Sequence, residues 1–238
     1  MRTDPFVLIL NYHRVGRPTR DARYHRMFVT PFQLHMQVHM LQWLGFKILP
    51  LCEAWASDAP RVACLTFDDG YLDNLTGGLP ILHREGVRAT VFTVTDDVGK
   101  SQHRWEEAGE TARADLMNWD QLRALQDKGW EIGSHAHEHR HLTRLPFEAQ
   151  KSLLTVSKQM LEEKLGTSVQ SFAYPYGDHN ADSIRAAQEA GYRYAVTTQP
   201  GVNRSLDKPF TLLRVPMFGY RLSHHLQNFL TLRKYRTP

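Results

Sequence analysis

Val62-Ala63-Cys64-Leu65-Thr66-Phe67-Asp68-Asp69-Gly70 is an apolar run that ends in two adjacent carboxylates and a glycine. The run reads as a short buried strand, and Gly70 allows the sharp turn that brings the chain back over its end. Both carboxylates then stand at the C-terminal edge of a strand. Two like charges side by side are costly unless a cation or a shared proton relieves them, so the pair suits a metal ligand beside a general base. Asp-Asp-Gly is equally an ordinary solvated turn, and the rest of the chain has to decide between the two readings.

Working outward, Phe6–Tyr12 is a second buried-strand run, and it too ends in polar residues, Asn11-Tyr12-His13. Phe32, Leu34, Val38, Leu41 and Leu44 recur at helical spacing, which predicts a helix over 31–44 with Thr30 as N-cap and Gly45 as its stop. His35 and His39 lie four apart on that helix. No carboxylate accompanies them in sequence, so they read as helix-surface histidines rather than a metal pair. Further strands are expected at 46–49, 89–94, 130–134, 169–174, 192–196 and 210–215, and helices at 120–128, 146–165, 180–190 and 223–235. Residues 71–85 read as loop and helix, interrupted by Gly77-Gly78 and Pro80. The polar stretch 95–113 is expected to be a long loop that shapes a substrate site, with Trp105 as its anchor or as a platform for a sugar ring.

Alternating strands and helices predict an α/β fold with parallel strands and outer helices, in roughly seven or eight units as in a closed (β/α) barrel. A chain of 238 residues with 42% hydrophobic content can bury one sizeable core, so one domain is expected over 1–238. The net charge of +4 is spread without a basic run, which gives no reason to expect a nucleic-acid partner. Cys52 and Cys64 lie in or beside apolar segments and read as reduced core thiols. Phe6–Leu10 is too short for a signal sequence or a membrane span, so the chain as it stands reads as cytoplasmic, and as extracytoplasmic if a leader precedes it.

His13, Asp68 with Asp69, His135 with His139, and Tyr176 all follow apolar strands, and in a parallel barrel those edges converge on one face. Thirteen histidines, four of them within 135–141, raise the expectation of metal or proton-transfer chemistry. Asp69, His135 and His139 can supply one carboxylate and two imidazoles to a zinc-like ion with an open position, which leaves Asp68 as a base. His137 and His141 alternate with these ligands and, in an extended segment, point the other way.

These motifs resemble the polysaccharide deacetylase family, the NodB-homology enzymes of carbohydrate esterase family 4. Thr66-Phe67-Asp68-Asp69-Gly70 is identical to the first family motif. Ser134-His135 with His139 is similar to the second, except that Ala136 occupies its hydroxyl position, and Phe172-Ala173-Tyr174-Pro175-Tyr176-Gly177 is similar to the third. The resemblance implies a distorted (β/α) barrel of about seven strands. It also implies a metal-dependent hydrolase that removes acetyl groups from N-acetylated sugars of a polysaccharide or glycan precursor. Asp68 would be the general base and Asp69, His135 and His139 the ligands of a divalent metal, zinc first with cobalt or nickel as substitutes. The backbone N–H of Tyr176 would be the oxyanion donor. The partner implied is an acetylated oligo- or polysaccharide.

The chain departs from the better-known members at two points. Ala173 stands where the family has an arginine that orients the catalytic aspartate, and Leu213-Arg214-Val215 lacks the late histidine that acts as acid. Tyr12-His13 resembles the Tyr-His of the poly-N-acetylglucosamine deacetylase branch, which makes His13 the candidate acid, and Arg214 is the candidate for orienting Asp68. Residues 197–203 also resemble that branch and are expected to border the site. O-acetyl ester cleavage, hydrolysis of a non-sugar C–N bond, and a carbohydrate-binding relative without turnover are the alternatives.

Overall fold

The computed structural model describes residues 6–18, 25–103, 112–217, 219 and 222–234. In chain order, β1 (Phe6–Tyr12), β2 (Arg14–Val15) and β3 (Phe28–Val29) lead into α1 (Pro31–Trp43). β4 (Lys47–Ile48) and β5 (Arg61–Phe67) precede α2 (Leu79–Arg84). β6 (Thr90–Thr93), β7 (Gln102–His103) and β8 (Ala112–Arg113) come before α3 (Trp119–Asp127). β9 (Glu131–Ser134) is followed by α4 (Phe147–Leu165), β10 (Ser171–Ala173) by α5 (Ala181–Glu189), and β11 (Tyr194–Val196) and β12 (Val215–Pro216) by α6 (Leu222–Arg233).

The main sheet is parallel and runs β11-β10-β9-β6-β5-β1-β12, with β4 paired to the first half of β5. The segment 212–216 touches both edges: Leu212 bridges to Val196, while Val215 and Pro216 pair with Leu10 and Asn11. The sheet is thereby curled into the distorted (β/α) barrel of about seven strands. Side chains alternate across it as the two-residue strand period requires. Val7, Ile9, Val62, Cys64, Phe92, Ala173, Tyr194 and Val196 share one buried cluster, the barrel interior. Leu8, Leu10, Leu65, Phe67, Val91 and Phe172 pack instead with helix residues such as Leu34, Leu41, Leu122, Leu154 and Leu161. Gly133 belongs to the inward set, and a Cβ there would meet the Phe92 ring at 2.5 Å, so glycine lets Phe92 fill the interior.

Local signals set the helix starts. Thr30 and Gln33 cap α1 reciprocally, Gln33 N donating to Thr30 Oγ1 (3.2 Å) and Thr30 N to Gln33 Oε1 (2.9 Å). Asn118 and Gln121 do the same for α3, which is why that helix starts at Trp119 rather than at 120. Over 71–85 the interruption is a π-helical turn, Asn74–Gly78, running into α2. The expected loop over 95–113 carries the antiparallel pair β7–β8, and Trp105 lies outside the described residues. The strand expected at 210–215 reduces to Val215–Pro216. Residues 212–214 spend their backbone donors elsewhere: Leu212 N on Ala195 O, Leu213 N on the Asn203 side chain and Arg214 N on Gln199 O. Both cysteines are free thiols, Cys64 inside the barrel and Cys52 beneath it. Among the described residues no helix is long and apolar enough to cross a membrane.

A polar layer floors the interior. Half-buried Glu131 accepts from Ser171 Oγ (2.5 Å), Thr90 Oγ1 (2.8 Å) and Cys52 N (2.9 Å), and so ties β9 to β10, β6 and the turn after β4. Burial pushes its carboxyl above the ordinary glutamate value, with these hydrogen bonds opposing only in part. Glu131→Ala strands three donors, two of them on buried side chains, and is expected to cost about 3 kcal/mol in urea denaturation, whereas Glu131→Gln keeps most of the bonding. Because the folded protein holds this proton to higher pH than the unfolded chain, wild type loses stability as pH rises through that window. The stability of Glu131→Gln relative to wild type is therefore expected to grow with pH across the same window.

Candidate metal and acid–base site

The inward register of β5 continues past the strand: Val62, Cys64 and Thr66 face the interior, and Asp68 is next in step at its mouth. On β1 the same parity runs Val7, Ile9, Asn11, and Asn11 Nδ2 donates to Asp68 Oδ2 at 3.1 Å. From the 212–216 segment that closes the barrel comes Arg214, which is fully buried. Its Nη1 donates to Asp68 Oδ1 and its Nη2 to Oδ2, both at 2.7 Å, while Nε donates to Thr197 O at 2.7 Å and Nη1 also reaches Thr66 Oγ1 at 3.1 Å. This is a two-pronged guanidinium–carboxylate pair, the geometry in which such pairs are strongest. Burial pushes the Asp68 carboxyl up, but the charge and hydrogen bonds of Arg214, helped by His135 and His13, hold it below the ordinary carboxylate range.

After Asp68 the chain turns sharply. Asp69 has φ 76° and Gly70 φ 75°, and a Cβ on Gly70 would meet Thr93 Oγ1 at 2.5 Å. Asp69 is thereby turned toward β9. Its Oδ1 lies 3.4 Å from His135 Nε2 and 3.7 Å from His139 Nε2. All three residues are buried. Burial alone would raise the Asp69 carboxyl, yet His135, His13 and His139 hold it well below the usual value. His135 is itself raised, its two aspartate neighbours outweighing burial, whereas burial and the charge of His135 push His139 down to about 3.

The donor set fits a divalent cation. Nitrogen and oxygen ligands at ordinary zinc distances in a tetrahedral arrangement sit roughly 3.4 Å apart, close to the separations seen here. Asp69 Oδ2 is buried with no hydrogen-bond partner among the described residues, which leaves it available to a cation. His135 Nδ1 lies 2.7 Å from Ala173 O, a hydrogen bond that puts the proton on Nδ1 and leaves the Nε2 lone pair facing the cluster.

The segment 135–141 is not extended, because Ala136 takes φ 65°. His137 therefore turns to Thr95 Oγ1 (3.0 Å), and His141 stacks on Tyr176 with ring centroids 4.1 Å apart. His139 meets the same ring edge to face, with centroids 4.3 Å apart, so Tyr176, at φ 60°, contacts two histidines. Asp178, which accepts from Thr143 N (3.1 Å) and Oγ1 (2.7 Å), lies 3.4 Å from His141 Nδ1 and secures that side. Half-buried His13 follows β1 at the same mouth, close enough for its charge to act on both aspartates. Residues 197–203 border the site through Thr197 and through Asn203, whose Oδ1 and Nδ2 bond Leu213 N and O at 3.0 Å and so fix the segment presenting Arg214. Asn11 was not singled out as a site residue by sequence, although its place at the end of an apolar run was a usable signal. Thr66 and Thr197 lie in stretches that the sequence does single out, the first motif and 197–203, but their contacts with Arg214 are not encoded there.

The profile of the polysaccharide deacetylase family matches residues 56–195, a span that holds Asp68, Asp69, His135, His139 and Tyr176 and leaves His13 and Arg214 outside. The chain is 29% identical over 216 residues to YxkH of Bacillus subtilis (strain 168), covering 87% of this chain and 70% of that protein. It is 24% identical over 216 residues to the poly-beta-1,6-N-acetyl-D-glucosamine N-deacetylase of Staphylococcus epidermidis, covering 81% of this chain and 72% of that protein. The solved structure of the Streptococcus pyogenes deacetylase PplD in complex with acetate has the same fold, with a TM-score of 0.80 at 23% identity over 95% of this chain and 99% of that one. A profile match spanning more than half of the sequence settles the family, and the chain belongs to the polysaccharide deacetylases.

Proposed function

We propose that the protein is a metal-dependent hydrolase that removes acetyl groups from N-acetylated sugars of a polysaccharide or glycan precursor. One observation carries this reading: two adjacent buried carboxylates are given opposite surroundings. Asp68 is clamped by a guanidinium, and Asp69 faces two imidazoles. A protein that only binds sugar has no use for a base beside a cation site. The likeness to the Staphylococcus epidermidis enzyme supports an N-acetylglucosamine polymer as the substrate class.

When bound by Asp69, His135 and His139, a divalent ion, zinc first with cobalt or nickel as substitutes, supplies Lewis acidity toward the acetyl carbonyl and acidifies water. Asp68 takes the proton of the attacking water. Its Oδ2 already accepts from Arg214 and Asn11, whereas Oδ1 accepts from Arg214 alone, so Oδ1 keeps the better lone pair for that proton. The backbone N–H of Tyr176 donates to the carbonyl oxygen as negative charge develops there. As the water oxygen bonds to the carbonyl carbon and the C–N bond breaks, His13 gives a proton to the departing amine, so that acetate and a free amino sugar result. Arg214 is a positioning residue: it keeps Asp68 ionised and fixes the plane of its carboxylate.

Acetate release from N-acetylated and O-acetylated oligosaccharides tests this reading directly. Chelation is expected to abolish release and added zinc, cobalt or nickel to restore it; a fully active chelated protein would sink the metal role. Asp68→Asn is expected to lower kcat by about 10²–10⁴-fold. His13→Ala is expected to lose turnover of N-acetyl sugars to a similar degree while retaining hydrolysis of an activated aryl acetate, whose leaving group needs no proton. Equal loss on both substrates would remove His13 from the acid role. Arg214→Lys, which keeps the charge but not the fork, is expected to lower kcat about 10²-fold with KM little changed.

A further inference from the structure

Away from the barrel mouth, α1 and the end of α2 bring three metal-ligating side chains together. His35 and His39 are one helical turn apart on α1 and share a face, their ring centroids 4.4 Å apart. Glu85, fifty residues beyond His35, ends α2 against that face. Its Oε1 lies 2.9 Å from His35 Nδ1 and its Oε2 3.1 Å from His39 Nε2. The carboxylate whose absence from the sequence neighbourhood argued against a metal pair is thus supplied by the fold.

We infer that His35, His39 and Glu85 form a second divalent-cation site, distinct from the one at the barrel mouth and suited to Zn²⁺ or Co²⁺ rather than Mg²⁺ or Ca²⁺. Two imidazoles with one carboxylate favour borderline transition ions over hard ones. All three donor atoms lie within 4.8 Å of one another, so little rearrangement is needed to converge on one ion. The His35, His39 and Glu85 side chains are 29%, 50% and 12% exposed, which gives an ion access from solvent and leaves room for water to complete its coordination. Arg84 is the competing cation: its Nε lies 3.3 Å from Glu85 Oε1 and its Nη2 3.4 Å from His35 Nδ1. Its side chain is 62% exposed, so it can swing into solvent when an ion enters. An ion held here joins α1 to α2, and binding to the folded state alone raises stability with metal concentration.

Cobalt titration of the chelator-stripped protein, followed by visible absorption and by calorimetry, tests the site. The full chain is expected to bind one equivalent more than the His35→Ala/His39→Ala variant, which keeps the Asp69 cluster and its acetate release. Glu85→Gln is expected to weaken that equivalent, and Arg84→Ala, which removes the competing charge, to tighten it. If the mouth bound no metal, wild type would take one equivalent and the double variant none, so failure of the catalytic reading is separable from failure of this one. Identical titrations of wild type and the double variant would overturn the second site.

Discussion

The Arg214–Asp68 ion pair is the interaction on which the rest of the site depends. A buried guanidinium opposite a buried carboxylate is tolerable only when its geometry is good and the remaining donors and acceptors are satisfied. Here Asp68 has both oxygens occupied by the fork, Asn11 bonds one of them, and Thr197 O and Thr66 Oγ1 take further Arg214 donors. The pair therefore links β5 and β1 to the 212–216 segment and to the end of β11, across the place where the barrel would otherwise be open. Removing either partner alone would leave an uncompensated charge in the interior, so closure of the barrel and orientation of the Asp68 carboxylate share one set of contacts.

Local backbone strain is concentrated at the same mouth. Asp69, Ala136 and Tyr176 are the non-glycine residues with positive φ among those described, and each lies in one of the three motifs around the cluster. Such conformations cost on the order of 1 kcal/mol or more each and persist where the surroundings over-determine them. The surroundings do so here through the turn after Asp68, the histidine segment after β9, and the contacts of Tyr176, stacked on His141 and edge-on to His139. The same strained backbone aims Asp69 and His139 at a common point.

The barrel interior is apolar in the middle and polar at both ends, with opposite consequences. At the floor, Glu131 has only neutral donors, whose hydrogen bonds offset its burial in part, and its carboxyl rises. At the mouth, Asp68 is more deeply buried yet faces a guanidinium, and its carboxyl falls. Burial is common to both, so the sign is set by whether a full positive charge is within reach.

The sequence by itself determined the strand runs, most helix boundaries, the α/β alternation and the convergence of Asp68, Asp69, His135, His139 and Tyr176 on one edge. All of these follow from short-range causes: the two-residue period of a strand, side-chain caps such as Thr30 and Asn118, and glycine at turns. Arg214 is named from sequence as the candidate partner of Asp68, but only the tertiary structure decided that the two meet, because 146 residues separate them and no local spacing encodes the contact. It also dissolved most of the expected strand at 210–215, since the backbone donors of 212–214 found partners in β11 and the loop beyond it. Glu85 reached His35 and His39 in the same way, through the packing of one helix end on another's face. Contacts of this kind depend on where whole elements come to rest, and that is fixed by the packing of the core between them.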